Sequence, residues 1–574
     1  MVTWSDVLLW RAAHIETVQD DASAARKAAR EQVQELEAHY NRIASQGLAI
    51  DAMRQALSRV QDELDHAVNA ISAYMLACAE AIDGVRVVEA KVKSALEISE
   101  EIGCTIYDDG SVSIPYIDLS DAVRYGKADV LLGKSNELHM CIADALSIAR
   151  KVDEELRRKL QELAEDRFEQ NGPKEGRHSA SPGLPDDADE SWSPSEVSAW
   201  WGALTDEERQ ACIERDPLKY GNLDGIDMAS RDKANRMALY GYDTGGNASI
   251  RLGSTGLLQQ AQDKFDQAQA AYDDCVGAHG LFSDEAMALK AQRDRAGRDL
   301  ADLQKIDERL RKGAGEDGKP LSLLALDTSG EQVKAAVAVG DVDHAQHVAN
   351  FTPGMGTNVR DSLDNYVDVA DRMRDNTVEK AKVRPSDVAV VAWLNYDAPT
   401  DVTKTWDLDV ASTEKARAGA DRLAGFLTGV RSWRDEQGGS LHLTSVSHSY
   451  GSTTAGFAMR QMGEGVVDDH IYLASPGSAA YTVGALGVDP SHVWVSAVPE
   501  GDMVQGMGPD MTFGRNPEQL EGIQHLSGDA TGAQGYDPQP SSPVANHSSY
   551  FAPPKPGEEN EVLNDICRVL GGAK

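Results

Sequence analysis

The chain has 574 residues, which is enough for roughly three or four domains of ordinary size. Its formal net charge of −37, from 93 acidic and 56 basic side chains, argues against binding to nucleic-acid phosphates or to anionic membranes. Because the sequence has neither a transmembrane-length apolar run nor a signal peptide, it predicts a cytoplasmic protein or one exported by a type VII-like route.

The first 170 residues are predicted to form an elongated, all-α helical bundle. A helix capped by Thr3 or Ser5 is expected to run to about Ser45, because the stretch is rich in Ala, Glu, Gln and Arg. A second helix is expected over residues 50–102.

A β-hairpin and a third helix complete this region. Within residues 105–115, Asp109-Gly110 lies between two short apolar pairs, which is a strong signal for a tight hairpin turn. Apolar residues then recur at spacings of three and four from Leu138 to Leu163. We interpret this stripe as helix–helix core. The alternative is a face through which residues 1–170 bind a protein partner or a second copy.

The helical region resembles the small helical-hairpin substrates of type VII secretion. The Y-x-x-x-D/E signal that accompanies such substrates occurs once, at Tyr125 and Asp129. Roughly two matches are expected by chance in a chain with this many tyrosines and acids, so the match does not decide whether the protein is exported.

The middle of the chain is predicted to be a linker followed by helices. Residues 171–194 are rich in Gly, Pro, Ser and Asp, which is typical of a flexible linker. Residues 195–317 are predicted to be helical, and Trp200-Trp201 is interpreted as a packing pair. Residues 257–310 predict a two-helix hairpin, an insertion or a dimer arm rather than a site.

Residues 318–574 show a different pattern, in which short apolar runs alternate with helical stretches of ten or more residues. This alternation predicts a mostly parallel sheet with helices on both faces, and such sheets bind ligands beyond the carboxyl ends of their strands. The runs predicted as strands are 321–326, 335–339, 347–351, 388–393, 441–446, 471–474, 493–498 and 522–526.

Ser449 is the predicted nucleophile. It lies in Ser447-His448-Ser449-Tyr450-Gly451, a sharp turn between a predicted strand and a predicted helix. Strand, turn and helix are the context that the nucleophile-elbow motif G-x-S-x-G requires, with small residues where strand and helix nearly touch. Gly451 meets this requirement, and Ser447 replaces the first glycine. The alternative is a serine-rich strand end without chemistry.

Asp502 is the predicted triad acid. A nucleophilic serine needs a base and an orienting carboxylate, and in α/β-hydrolases the chain order is Ser, Asp or Glu, then His. Asp502 follows the predicted strand 493–498, two strands after the elbow. Glu500 and Asp510 compete with it for this role.

His547 is the predicted base, since it lies in the last loop of the chain. His525 is its rival, although it falls inside the predicted final strand. The side chain of His448, next to the nucleophile, is expected to point away from the partner of Ser449.

The oxyanion hole is predicted from two backbone N–H groups. Tyr450 follows the nucleophile and supplies the first. Met355 is assigned the second, because it lies in a glycine-containing loop after the predicted strand 347–351. The alternative for that loop is an ordinary strand–helix turn.

No cofactor and no metal are predicted. The sequence has neither a phosphate-binding loop G-x-x-x-x-G-K-[ST] nor the zinc motif H-E-x-x-H. Residues 341–347 are interpreted as a polar turn entering a strand. The six cysteines are far apart, which predicts reduced and mostly buried thiols.

Several stretches together resemble an actinobacterial family of α/β-hydrolase-domain proteins of uncharacterised function. The resemblance implies the α/β-hydrolase fold and a triad at Ser449, Asp502 and His547. Ser447 and Asn395 stand where the family usually has glycine. The matching stretches are Trp200-Trp201, 221–225, 231–235, 353–357, 393–399, 448–452, Ser475-Pro476-Gly477 and 547–551.

The sequence therefore predicts a serine hydrolase of esterase or lipase type that cleaves a small-molecule or lipid ester through an acyl-enzyme. The alternative is an exported or cell-associated interaction protein whose helical half binds a partner, with a weakly active or inactive hydrolase domain. A peptidase would use the same triad.

Overall fold

A computed structural model of the chain describes residues 2–42, 48–113, 128–165, 185, 187–189, 191–241, 255–400, 412–498 and 500–573. Tyr125 and most of the predicted linker lie outside these ranges. The internal contacts divide the chain into two compact units, Met1–Asp118 with Leu138–Gln210 and Leu119–Glu137 with Ala211–Lys574.

The first unit consists of long helices and one short hairpin, and α2 packs along α3. The two hairpin strands pair antiparallel around a turn in which Gly110 has φ of +82°, which glycine adopts without steric cost. Its elements are α1 (Trp4–Val7), α2 (Ala12–Arg42), α3 (Leu48–Ile102), β1 (Thr105–Ile106), β2 (Val112–Ser113), α4 (Ala128–Ala164), which begins in the second unit, and α5 (Pro194–Ala203).

The single helix predicted from Thr3 onward is wrong, because the chain breaks between α1 and α2. Thr3 does cap α1. The Trp4 N–H donates to the carbonyl oxygen of Asp108 at 2.9 Å, and the Ala12 N–H donates to a carboxylate oxygen of Glu89 at 3.1 Å. Hydrogen bonds to distant residues thus hold both sides of the break and override the local helix propensity.

The apolar stripe at the start of α4 is buried against α3, as expected for helix–helix core. This burial leaves those side chains unavailable to a partner, so the exposed faces of the helices would have to provide any such surface. The facing residues are Val88, Val92, Ala95 and Ile98 of α3 and Leu138, Ile142, Ala145 and Ala149 of α4.

The second unit is an α/β domain, and among its described residues an eight-stranded sheet runs in the order β10-β9-β8-β7-β5-β6-β4-β3. β4 runs antiparallel to both of its neighbours, β3 and β6, and the other neighbouring strands of this sheet pair in parallel. The strands are β3 (Leu321–Asp327), β4 (Lys334–Val339), β5 (His347–Thr352), β6 (Val388–Leu394), β7 (His442–His448), β8 (Asp469–Leu473), β9 (Val493–Ser496) and β10 (Gln524–His525).

Helices cover both faces of this sheet, so its central strands are buried on each side. In β6, alternate residues belong to two separate apolar clusters, which is why the strand reads as a continuous apolar run. The helices are α6 (Asp206–Arg215), α7 (Pro217–Tyr220), α8 (Met228–Tyr240), α9 (Leu257–His279), α10 (Asp284–Lys312), α11 (Val359–Ala381), α12 (Glu414–Glu436), α13 (Tyr450–Met459), α14 (Asp510–Phe513) and α15 (Glu561–Leu570).

Side chains near α8 cover the free edge of β3. The Asn222 amide donates to the Leu326 carbonyl at 2.9 Å and accepts from the Leu326 N–H at 3.0 Å, and Asp232 accepts from the Leu323 N–H at 2.6 Å. These bonds occupy backbone groups that an exposed edge would offer to another strand. The polar residues within 221–235 that make these bonds therefore stabilise the edge of the sheet.

None of the helices that the structure describes combines the length and apolarity needed to cross a bilayer.

Candidate active site

Ser449 stands on a strained turn between β7 and α13. Its backbone has φ of +57° and ψ of −137°, a conformation that costs a residue with a side chain on the order of 1–3 kcal/mol. The Ser449 N–H donates to the Leu473 carbonyl on β8 at 3.0 Å, which holds the turn in place. The residue is 7% exposed and lies at the carboxyl edge of the sheet.

Close backbone contacts around this turn explain its small residues. A Cβ on Gly451 would lie 2.3 Å from the Pro353 carbonyl oxygen, and one on Gly354 would lie 2.5 Å from the Ser449 Cβ. The loop after β5 therefore presses directly on the elbow. Ser447, in place of the usual glycine, is accommodated because its hydroxyl donates to the Ile471 carbonyl on β8 at 2.9 Å.

Asp502 and His547 come together from two separate loops. His547 Nδ1 lies 2.8 Å from Asp502 Oδ1. The Asp502 side chain is fully buried, whereas the imidazole keeps 20% of its surface exposed. A buried carboxylate in this position fixes which imidazole nitrogen carries the proton and leaves Nε2 as the acceptor.

Tyr550 supports this pair, and the sequence did not point to it. Its hydroxyl donates to Asp502 Oδ2 at 2.6 Å and accepts from the Val498 N–H at 2.9 Å. Burial alone would raise the pKa of the Asp502 carboxyl, but the hydrogen bonds from His547 and Tyr550 outweigh burial and lower that pKa. The available signal was the short separation of Tyr550 from His547 in the sequence, and the 3₁₀ turn Ser549–Phe551 carries Tyr550.

The competing carboxylates and the competing histidine lie elsewhere. Glu500, Asp510 and His525 are exposed, and within the described residues none of them hydrogen-bonds the ring of His547. Asp502 is thus the carboxylate that orients this imidazole.

The expectation that His448 points away from His547 is wrong. The two rings lie 4.5 Å apart between centroids, and His448 Nε2 donates to the His547 carbonyl at 2.7 Å. Burial, aided by the nearby His547, lowers the pKa of His448 to about 3, so its ring is neutral. The reason is that β7 directs His448 to the opposite face from Ser447, where the loop carrying His547 packs.

No hydrogen bond joins Ser449 and His547 in the described part of the chain. His448 precedes Ser449 in the chain, and its ring packs on that of His547. On the facing loop, the Gly356 N–H donates to the Pro399 carbonyl at 2.7 Å, and no acceptor among the described residues takes the Met355 N–H. Tyr450 occupies the first position of α13.

Comparison with known proteins agrees with this architecture. A family model described as alpha/beta hydrolase matches residues 328–512. The uncharacterized protein Mb0988c of Mycobacterium bovis is 32% identical over 235 residues, which are 40% of this chain and 83% of that protein. The chain belongs to the α/β-hydrolase family.

A second relative matches a longer part of this chain. The uncharacterized protein Rv2079 of Mycobacterium tuberculosis is 30% identical over 311 residues, 53% of this chain and 42% of that protein. The chain thus spans less than half the length of this relative.

A second histidine–carboxylate cluster, of two histidines and one aspartate, lies at the opposite edge of the sheet. His442 Nε2 is 2.6 Å from Asp469 Oδ2, and His492 Nδ1 is 2.9 Å from Asp469 Oδ1. These residues lie at the amino ends of β7, β8 and β9. Because the strained serine stands at the carboxyl edge, this cluster serves packing between strands rather than the elbow.

Residues 341–347 stabilise the fold of the α/β domain. Asp343 accepts hydrogen bonds from the N–H groups of Met228 and Ala229, each at 2.9 Å, and so caps α8. Within the described ranges, no group of three or more His, Cys, Asp and Glu residues could hold a metal ion.

Asn395 is hydrogen-bonded within the fold, and most of the cysteines are buried. Arg422 donates to the Asn395 side-chain oxygen at 2.7 Å and to its backbone carbonyl at 2.9 Å, which ties β6 to α12. Five of the six cysteines are buried, and Cys104 is half-buried.

Proposed function

We propose that this protein is a serine hydrolase that cleaves an acyl ester, with Ser449 as nucleophile, His547 as base and Asp502 as the orienting acid. The observation that carries the proposal is the 2.8 Å bond between His547 and Asp502 at the same sheet edge as a serine with φ of +57°. The family membership supports hydrolase chemistry in general, and the ester substrate is our inference from the triad's residue types.

The reaction proceeds through an acyl-enzyme. His547 Nε2 takes the proton from the Ser449 hydroxyl as Oγ attacks the acyl carbonyl, and it then donates that proton to the leaving alcohol. Water, deprotonated by the same imidazole, attacks the ester of Ser449 and releases the acid. The bond from serine to histidine forms when substrate is bound, since such bonds are often long in ligand-free structures.

Asp502 has two tasks in this scheme. It holds His547 in the tautomer with the proton on Nδ1, and it stabilises the imidazolium that forms during attack. The lowered pKa of its carboxyl, maintained by His547 and Tyr550 against the effect of burial, keeps it ionised at neutral pH.

The N–H groups of Tyr450 and Met355 stabilise the oxyanion. Both belong to segments in contact with the elbow, one at the start of α13 and one in the loop that presses on Ser449. Two aligned donors of this kind contribute on the order of 10²–10³-fold each to kcat.

A fluorophosphonate probe and p-nitrophenyl butyrate test this proposal. The full chain should hydrolyse the ester and react with the probe at Ser449, located by mass spectrometry of peptides. Ser449→Ala should lower kcat by about 10⁴-fold or more and abolish labelling, with an unchanged circular dichroism spectrum. Ser447→Ala, near the end of β7, serves as the matched control. Activity retained by Ser449→Ala would refute the assignment.

A further inference from the structure

Four exposed apolar side chains lie on the loops that carry Asp502 and His547. Met503, Met507, Met511 and Val544 are 62%, 64%, 89% and 51% exposed, and we call them the apolar rim. Among the described residues from 288 to 573, no other large apolar side chain reaches this exposure. Exposed apolar groups that collect at one place on a protein mark a surface that binds something.

A backbone hydrogen bond brings two members of the rim together. The Met503 N–H donates to the Pro543 carbonyl at 2.9 Å, which joins the loop of Asp502 to the loop of His547 and places Met503 beside Val544. Met503 also follows Asp502 directly in the chain. Part of the rim therefore borders the histidine–aspartate pair.

A further bond ties the loop of Met507 to the edge of the sheet where Ser449 lies. The Gly506 N–H donates to the Ser475 carbonyl at 2.7 Å, so the residue before Met507 is bonded to the loop after β8. The Ser475 hydroxyl in turn lies 2.7 Å from the hydroxyl of Ser452, in the first turn of α13 after the nucleophile. Two hydrogen bonds thus connect the loop of Met507 to the helix that begins after Ser449.

The chemistry of the rim points to an uncharged hydrocarbon. Methionine is flexible and polarisable, and it suits a surface that must accept chains of varying shape. The exposed carboxylates of Glu500 and Asp510 lie on the same loop, and the chain carries a net charge of −37. Negative charge around the rim disfavours anionic lipid headgroups and free fatty acids as occupants.

We propose that the apolar rim binds the hydrocarbon chain of a neutral ester, and that the hydrolase prefers medium or long acyl chains to acetyl groups. The inference rests on the proposed function, because the chain must be attached to the carbonyl that Ser449 attacks. Each methylene group that leaves water on the rim raises kcat/KM by roughly fourfold at full burial.

The ratio of kcat/KM for p-nitrophenyl octanoate to that for p-nitrophenyl acetate measures this preference. In the wild type the ratio should be at least about tenfold, the effect of burying roughly two methylene groups. The triple variant Met503→Gln, Met507→Gln, Met511→Gln keeps the side-chain length and should lower the ratio about tenfold. Met287→Gln, at a methionine of α10 that is 53% exposed, is the control and should leave the ratio unchanged. A ratio that the triple variant does not change would overturn the inference.

A binding measurement separates this inference from the proposed function. In a Ser449→Ala background, p-nitrophenyl octanoate should bind at least about tenfold more tightly than the acetate, and the triple variant should abolish the difference. If the wild type hydrolyses neither ester but this difference in binding is seen, the proposed function is wrong, whereas the binding of a hydrocarbon chain by the rim is supported. If both esters bind equally, the rim inference fails whether or not the wild type is active.

Discussion

Gly354→Ala tests whether the loop after β5 presses on the nucleophile. An added Cβ would lie 2.5 Å from the Ser449 Cβ and 2.9 Å from its Oγ, whereas carbon atoms in contact are about 3.5–4.0 Å apart. Either the loop or the serine must therefore move by about 1 Å. A displacement of this size at reacting atoms lowers kcat on the order of 10²-fold, and overpacking costs about 1–3 kcal/mol of stability.

The assay is hydrolysis of p-nitrophenyl butyrate under saturating conditions, together with urea unfolding to measure stability. Gly277→Ala is the matched control, because a Cβ there meets nothing within 4 Å. It should leave kcat unchanged and stabilise α9 by up to about 1 kcal/mol. Wild-type kcat in Gly354→Ala would show that the loop and Ser449 are not in contact, and it would remove Met355 from the oxyanion hole.

Two further predictions concern buried histidines. His448→Leu removes the donor to the His547 carbonyl, so kcat should fall by roughly 10–100-fold with KM nearly constant. His448→Gln, whose amide can donate to the same carbonyl, should recover most of the rate. Equal rates in the Leu and Gln variants would contradict this role of His448. Burial lowers the pKa of His470 to about 3 from its ordinary 6.5. The stability that folding gains from its neutral ring is therefore fully present above pH 6.5 and is lost as the pH falls toward 3. Between pH 7 and pH 5 the wild type should therefore lose about 2 kcal/mol more unfolding free energy than His470→Leu, as measured by urea unfolding at both pH values, and identical losses would refute the assignment.

The local pattern of the chain was sufficient for the sheet and for the elbow. Strands buried on both faces read as continuous apolar runs, and the runs at 388–393 and 441–446 coincide with β6 and β7 to within two residues. The turn at Ser449 also follows from its own residues, because only small neighbours permit strand and helix to approach so closely. Burial of a strand on both faces and close approach of backbone segments restrict which residue types can occupy each position, so both leave a pattern in the sequence.

Only the tertiary structure showed which side chains from distant parts of the sequence are in contact. Sequence order suggested Asp502 and His547, but it could not show that Tyr550 bonds the same carboxylate, that His448 packs on His547, or that a bond from Met503 joins the loops of Asp502 and His547. The break between α1 and α2 was equally hidden, since the groups that hold it come from Asp108 and Glu89. Hydrogen bonds and packing between residues 40 or more positions apart depend on how the strands are ordered in space. Periodicity and composition carry no record of that order.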